Sequence, residues 1–355
     1  MDIYEEIKRL EEEIRRTPYN KATEHHIGRL KAKLARLREE AEKQRKKRSG
    51  ESYAIKKEGD ATVVLVGYPS VGKSTLLNAL TGAKSEVGDY DFTTLKPVPG
   101  MLEYNGAKIQ IIDVPGVIEG ASQGRGRGRE ILSAIRVADL IVIVADVFTI
   151  HTIDLVKREL YNSGFRLNEK RPEVYIKKTV TGGINIKSTV KLSLSEETIK
   201  SILREYKIHS GEVLIREDVT IDRLIDAILN NRVYVPAITV VNKIDLYPEA
   251  EIPSDAIPVS AEKRINLDRL VEEIYRKLEF IRVYLKPPGG RVEEEPMILR
   301  KGAKIEDVCR RLHRQMLENF KYAKVWGKSV KFDGQRVGLD HVLEDGDIVT
   351  IYARG

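Results

Sequence analysis

The pattern of apolar and polar positions changes character along the chain. In the first fifty residues, Ile3, Ile7, Leu10 and Ile14 recur at helical spacing, then Thr17-Pro18-Tyr19-Asn20 interrupts. A second series, Ile27, Leu30, Leu34 and Leu37, follows amid charge, which predicts two amphipathic helices joined by a turn. From about 51 the pattern switches to short β-branched runs. Ala61-Thr62-Val63-Val64-Leu65-Val66 and Leu140-Ile141-Val142-Ile143-Val144 are apolar almost throughout, as strands buried on both faces are, and 108–113 reads as a strand ending in an aspartate. Helical stretches between them, including one with Ile131, Leu132, Ile135 and Val137, predict an α/β fold with a doubly wound, mostly parallel sheet.

After a helix at 153–161, about seventy residues separate that sheet from its next buried strand, Ala237-Ile238-Thr239-Val240-Val241. A crossover that long has elements of its own. Strands are expected at 173–177, 183–192 and 212–216. One helix is expected to open on the capping-box pattern Ser193-Leu194-Ser195-Glu196, and another to be capped by Thr220. Beyond Lys286-Pro287-Pro288-Gly289-Gly290, a linker by composition, the tail predicts a helix at 305–319 and strands near 323–326, 330–332 and 348–352, with Asp333-Gly334 as a hairpin signal. Trp326 is expected in the tail's core. The expected organisation is therefore a helical segment 1–50, a sheet domain 51–165 and 235–288, an inserted small α/β domain 166–234, and a compact tail 289–355.

Composition adds little to this and removes several alternatives. The chain has 355 residues, 41% hydrophobic and 32% charged, and a net charge of +7. Those values suit a globular protein and permit a nucleic-acid partner without requiring one. No apolar run reaches membrane-span length and no leader follows Met1, so a cytoplasmic protein without membrane association is expected. The single Cys309 excludes an internal disulfide. The basic run at 43–48 reads equally as a solvated helix end or an RNA contact. No residues that would read duplex DNA stand out.

The chemistry centres on Gly67-Tyr68-Pro69-Ser70-Val71-Gly72-Lys73-Ser74, a G-x-x-x-x-G-K-S loop between a strand and a helix. Such a loop curls backbone N–H groups around an anion at a helix N-terminus. Lys73 would reach the β- and γ-phosphates, Ser74 would ligate Mg²⁺, and Thr75 lies in the helical turn that faces them. Asp113-Val114-Pro115-Gly116 closes the second strand, where Asp113 would hold Mg²⁺ and the Gly116 amide would face the γ-phosphate. In Gly88-Asp89-Tyr90-Asp91-Phe92-Thr93-Thr94-Leu95, Thr94, ahead of Thr93, would ligate the metal when the γ-phosphate is present. Asn242-Lys243-Ile244-Asp245 follows a buried strand. Asp245 would accept two hydrogen bonds from guanine, which adenine does not offer, and the Lys243 stem would pack over the base. Ser260-Ala261-Glu262 would give a backbone N–H to the guanine carbonyl. Lys73, Thr94 and Gly116 are thus the expected catalytic groups, with GTP or GDP and Mg²⁺ as cofactors.

The stretch from Gly67 to Asp146 resembles the Obg superfamily of translation-factor GTPases, and within it the DRG group of developmentally regulated GTP-binding proteins and their archaeal relatives. Phe92-Thr93-Thr94-Leu95 and the run Asp113-Val114-Pro115-Gly116-Val117-Ile118-Glu119-Gly120-Ala121 carry the likeness. Gly124-Arg125-Gly126-Arg127-Gly128-Arg129 favours DRG over Obg itself. The resemblance implies a helical segment before the GTPase, a ribosomal-protein-like insert, and at 289–355 a TGS domain of ubiquitin-like β-grasp fold. It also implies a ribosome or RNA partner and a dedicated protein partner. Val117 stands where Ras-like switches carry a water-orienting glutamine, so slow hydrolysis is expected. Another loop group, a partner or K⁺ would then orient the water; Ser70 stands where relatives that use K⁺ carry asparagine. Arg125, Arg127 and Arg129 read as a flexible basic loop more readily than as arginine fingers. Two functions follow: a slow Mg²⁺-dependent GTPase switch on the translation machinery, or an RNA- or ribosome-binding scaffold with a structural guanine-nucleotide site.

Overall fold

The structure is a computed structural model and describes residues 3–46, 57–82, 98–114 and 128–354. Its elements follow the two periodicities. Helices α1 (Ile3–Arg16) and α2 (Glu24–Lys46) come first. The sheet-and-helix alternation then runs β1 (Ala61–Val66), α3 (Lys73–Thr81), β2 (Val98–Tyr104), β3 (Ala107–Asp113), α4 (Gly128–Ile135), β4 (Leu140–Asp146) and α5 (Thr152–Asn162). The intervening segment supplies β5 (Phe165–Leu167), β6 (Val174–Lys178), β7 (Ile184–Ser188), α6 (Glu196–Glu205), β8 (Gly211–Ile215), α7 (Ile221–Leu229) and β9 (Val233–Val235). The remainder is β10 (Ala237–Asn242), β11 (Ala256–Pro258), α8 (Leu267–Lys277), β12 (Phe280–Leu285), β13 (Met297–Arg300), α9 (Ile305–Leu312), α10 (Arg314–Glu318), β14 (Phe320–Trp326), β15 (Gln335–Val337) and β16 (Ile348–Ala353).

The chain makes two compact units, each from two separated stretches: 1–52 with 164–234, and 53–163 with 235–355. In the larger unit a six-stranded sheet has the order β11-β10-β4-β1-β3-β2. Every neighbouring pair is parallel except β2 with β3. All positions of β1, β4 and β10 are buried, which explains their unbroken apolar runs. α3 packs Leu76, Leu77 and Leu80 onto one face. Burying each of these leucines contributes about 2 kcal/mol.

The same unit holds a five-stranded sheet of order β13-β12-β16-β14-β15. Ile305, Val308 and Cys309 of α9 cover one face, against Val283, Val325 and Ile351. The expected boundary at 289 leaves out β12, which pairs with β13 and β16 and so belongs to this tail sheet. The Pro-Gly stretch is a loop within the tail, not a linker before it. No slack chain precedes β12, because Phe280 packs edge-on against Tyr275 of α8, 5.6 Å between centroids.

Three further expectations for the tail are corrected. The helix at 305–319 breaks at His313, whose backbone is extended and whose ring nitrogen caps α10 by accepting from Gln315 N. Residues 330–332 form no strand; the pairing strand is β15, beyond Gly334. Trp326 sits on the face opposite Val325 and the core, with the Lys286 ammonium 4.9 Å over its ring.

In the smaller unit, β6, β8 and β7 form a sheet in that order, β8 central, packed on α6 and α7. The N-terminal helices are not a separate domain. α2 is buried on two faces: Leu30, Leu34 and Leu37 meet Leu10 of α1, whereas Ile27 and Ala32 join the core of the inserted segment. Polar ties fix that second face. Lys31 pairs with Asp222 at 2.6 Å, and the Tyr206 hydroxyl donates to Ala32 O at 3.2 Å. Buried Glu24 accepts from Ser195 N, Lys21 and Thr198. Burial pushes its carboxyl up, but those hydrogen bonds outweigh it and hold the group below its ordinary value. The cap of α6 is Ser195, accepting from Thr198 N, not the expected Ser193, which is drawn off to Asp218. Thr220 caps α7 as its position implied.

Candidate functional site

β1 delivers the chain to Gly67 at the carboxyl edge of the six-stranded sheet, the usual side for ligands in open α/β sheets. A Cβ at Gly67 would lie 2.1 Å from Val144 O, so only glycine fits between β1 and β4. Ser70 (φ 63°) and Gly72 (φ 88°) take left-handed backbone and curl the loop. α3 then starts at Lys73 without a side-chain cap on its first amides. Those orphaned donors and the helix dipole make a receptor for an anion. Pro69 and Ser70 are exposed, Val71 is buried, and Thr75 is half-buried in the first turn.

Lys73 is 7% exposed. Its ammonium donates to Gly67 O at 3.2 Å and Tyr68 O at 2.9 Å, folded back under the loop. Burial pulls its pKa below the ordinary lysine value, and the nearby Asp113 carboxylate opposes that pull. Burial likewise lifts the Asp113 carboxyl, against the attraction of Lys73 and a hydrogen bond from Ser74. Ser74 Oγ donates to Asp113 Oδ2 at 2.5 Å. Asp113 Oδ1 is buried and has no hydrogen-bond partner among the described residues. A hydroxyl and a carboxylate in contact, with one carboxylate oxygen uncommitted, suit a hard divalent cation such as Mg²⁺. The donor set therefore fits that ion.

The second half of the site hangs from β10. Asn242, 2% exposed, donates through Nδ2 to Val71 O at 3.1 Å and accepts at Oδ1 from Ala261 N at 3.0 Å. One amide thus ties the phosphate loop to the 260–262 loop. Gly72 is held to glycine from this side too, since its Cβ would meet Asn242 Nδ2 at 2.4 Å. Lys243 (φ 62°) donates to Ser70 O at 2.7 Å and Asp146 Oδ2 at 2.8 Å. Burial would raise the Asp146 carboxyl, but Lys243 and Thr149 hold it below its ordinary value. Asp245 is half-buried, and its carboxylate makes no hydrogen bond or ion pair with a described residue.

Of the triplet 260–262, Ser260 N donates to Ile265 O and Ala261 N to Asn242. The Glu262 amide is the one left uncommitted among described partners. The sequence reading missed Asp146, which steers Lys243. Its signal was an aspartate closing a fully apolar strand, three residues before Thr149. Thr94, Thr93, Gly116, Val117, Arg125 and Arg127, and the side chain of Arg129, lie outside the described residues. Among the described residues no helix is long and apolar enough to cross a membrane.

Comparison with known proteins agrees with this geometry. Residues 62–178 match a family described as 50S ribosome-binding GTPase. Residues 181–280 match the C-terminal region of that domain, and 281–353 match the TGS domain. An uncharacterised GTP-binding protein of Methanocaldococcus jannaschii is 57% identical over 99% of this chain and 93% of its own. Developmentally-regulated GTP-binding protein 2 of Homo sapiens is 45% identical over 99% of both. A solved GTP-binding protein from Pyrococcus horikoshii OT3 aligns with 82% of this chain and all of its own, at 17% identity and a TM-score of 0.44, too loose a likeness to argue from. A phosphate loop, a hydroxyl–carboxylate pair and a free aspartate after Asn-Lys, in a chain aligned end to end with these relatives, make it a GTPase of the DRG family, the developmentally regulated GTP-binding proteins of the Obg-like group.

Proposed function

We propose that this GTPase is a slow, Mg²⁺-dependent molecular switch acting on the ribosome or its RNA. The observation that carries the nucleotide part is a pair of uncommitted groups at opposite ends of one site. Asp113 Oδ1 lies buried beside Ser74, where a metal would sit. The Asp245 carboxylate stands free where a base would lie.

In this reading Lys73 turns from the Gly67 and Tyr68 carbonyls to the β- and γ-phosphates. Their negative charge restores the ammonium that burial disfavours. Ser74 and Asp113 would hold Mg²⁺, which would supply charge neutralisation, and Thr94 and Gly116 would complete the γ-phosphate contact on the strength of their sequence positions. Asp245 reads the guanine edge while the Glu262 amide takes its carbonyl. Catalysis of this kind is positioning and charge neutralisation, so a valine at 117, unable to orient water, leaves turnover slow. K⁺ or a partner remains the candidate accelerator.

The ribosomal part rests on the family description matched at 62–178 and on the TGS match. Sedimentation with ribosomes tests it: association is expected with a non-hydrolysable GTP analogue and lost with GDP. Equal or absent association in both states would overturn the switch. A single-turnover assay with ribosomes added should show faster hydrolysis.

A further inference from the structure

Among the described residues, the β6–β8–β7 sheet is covered on one face only. Val174, Ile176, Ile184, Ile186, Val213 and Ile215 point into the core shared with α6 and α7. The alternate positions face outward. There, Tyr175 of β6, Leu214 of β8 and Lys187 of β7 align in one row across the strands, and Lys177, Glu212 and Asn185 form the next. The Tyr175 side chain is 57% exposed on this face. The Arg216 guanidinium lies 5.3 Å over its ring. A groove of about 870 Å³ wraps the β6 edge, with Tyr175, Lys177 and Lys187 on the outward side and Asp226, Ala227 and Ile228 of α7 on the other.

Charge decides what would suit such a face. Its outward positions carry Lys177 and Lys187, with Arg216 just past β8, against Glu212 and, just ahead of β6, Glu173. Lys177, Lys187 and Arg216 have no ion-pair partner among the described residues. A sheet face needs polar residues to meet water, but it does not need an exposed aromatic ring flanked by unpaired cations. Stacking platforms among cations that track a backbone are how proteins hold single-stranded nucleic acid.

We propose that this open face binds single-stranded RNA, with a base stacked on Tyr175 beside Arg216 and phosphates on Lys177 and Lys187. This rests on the reading of RNA or ribosome association given above and assigns it a surface. β6 is an edge strand, which an acidic extended peptide could also join. A wide tyrosine ring left open to solvent favours a base over a strand.

The test uses the full chain and a fluorescent twelve-nucleotide uridine RNA, titrated at several salt concentrations. Tyr175→Ala should weaken binding about 5- to 150-fold, the range one stacked base carries, and Tyr175→Phe should keep it. Lys177→Gln with Lys187→Gln should reduce the salt slope by about 1.4, two single-strand phosphates. Basal GTP turnover and melting temperature should not move in any variant. If Tyr175→Ala binds RNA as well as the parent, the assignment of this face is wrong while RNA association itself stands. If duplex RNA or polyglutamate displaces the oligomer as well as single strands do, the proposed occupant is wrong. If the parent binds neither RNA nor ribosomes, both this proposal and the association it rests on fall.

Discussion

The six-stranded sheet and the β6–β8–β7 sheet use opposite solutions to the same problem. β4 is buried at all seven positions, and both faces of its sheet are occupied by packing. The candidate site there lies at the carboxyl ends of the strands, where Gly67, Asp113, Asp146 and Asn242 emerge. β6 alternates half-buried and exposed positions, so that its whole outer face remains available. A sheet enclosed on both faces builds a small, rigid site with each group tied to a neighbour. A sheet covered on one side offers area, with little to fix any single side chain.

That contrast orders the expected effects of substitution. Gly67→Ala is the harshest test, because its Cβ meets the Val144 carbonyl at 2.1 Å. We expect about 3 kcal/mol or more lost in thermal or urea unfolding, together with nucleotide binding. A near-neutral result would mean that the strands have slack the packing does not suggest. Asp245→Asn comes next. Loss of a charge-assisted pair should weaken GTP binding about 10- to 100-fold and shift preference toward xanthosine triphosphate. Unchanged base preference in a competition titration would remove Asp245 from the base site. Asn242→Ala strands the Val71 carbonyl and the Ala261 amide, and should cost about 2 kcal/mol in stability as well as affinity.

In the smaller unit, Glu24→Gln should lower stability by about 2 kcal/mol at neutral pH. The folded carboxyl lies below its ordinary value. Its contribution is therefore complete above the unfolded value near 4.3, and is lost as pH falls through the folded one. Urea melts of parent and variant should converge in acid; a gap that persists at low pH would assign the effect to shape instead of charge. The mildest expected change is Gly183→Ala, with φ 72° and no atom within 4 Å of the added Cβ. Only backbone preference opposes it, about 1 kcal/mol, against the steric block at Gly67.

The same contrast explains what could be read from the letters alone. β1, β4 and β10 announce themselves because burial at every position leaves little room for polar residues. The phosphate loop, Asp113 and Asn242 announce themselves because backbone geometry and charge admit few alternatives there. Pairings made at long range are silent. Nothing in Ile27 or Ala32 says that α2 has a second buried face, because its partners lie some 170 residues on. Ser193 reads as the cap of α6, and nothing nearby in sequence says that Asp218 draws it off and leaves the role to Ser195. The Pro-Gly stretch at 286–290 looks like a boundary, yet β12 before it belongs to the tail sheet, a matter of strand pairing and not of composition. Nothing in the triplet 260–262 says that the Ala261 amide is committed to Asn242, some twenty residues earlier.

The two-faced burial of α2 bears on how the chain is made. Segments of the two units alternate along the sequence, with 1–52 and 164–234 in one and 53–163 and 235–355 in the other. As the polypeptide lengthens, the second face of α2 stays exposed until α6 and α7 have been translated. The smaller unit closes once residue 234 is available. β10 and Asn242 come only afterwards, so a growing chain can complete its helical clamp before Asn242 can tie the phosphate loop to the 260–262 loop. The site around the phosphate loop is the later of the two to be finished, and its closing tie is withheld from incomplete copies.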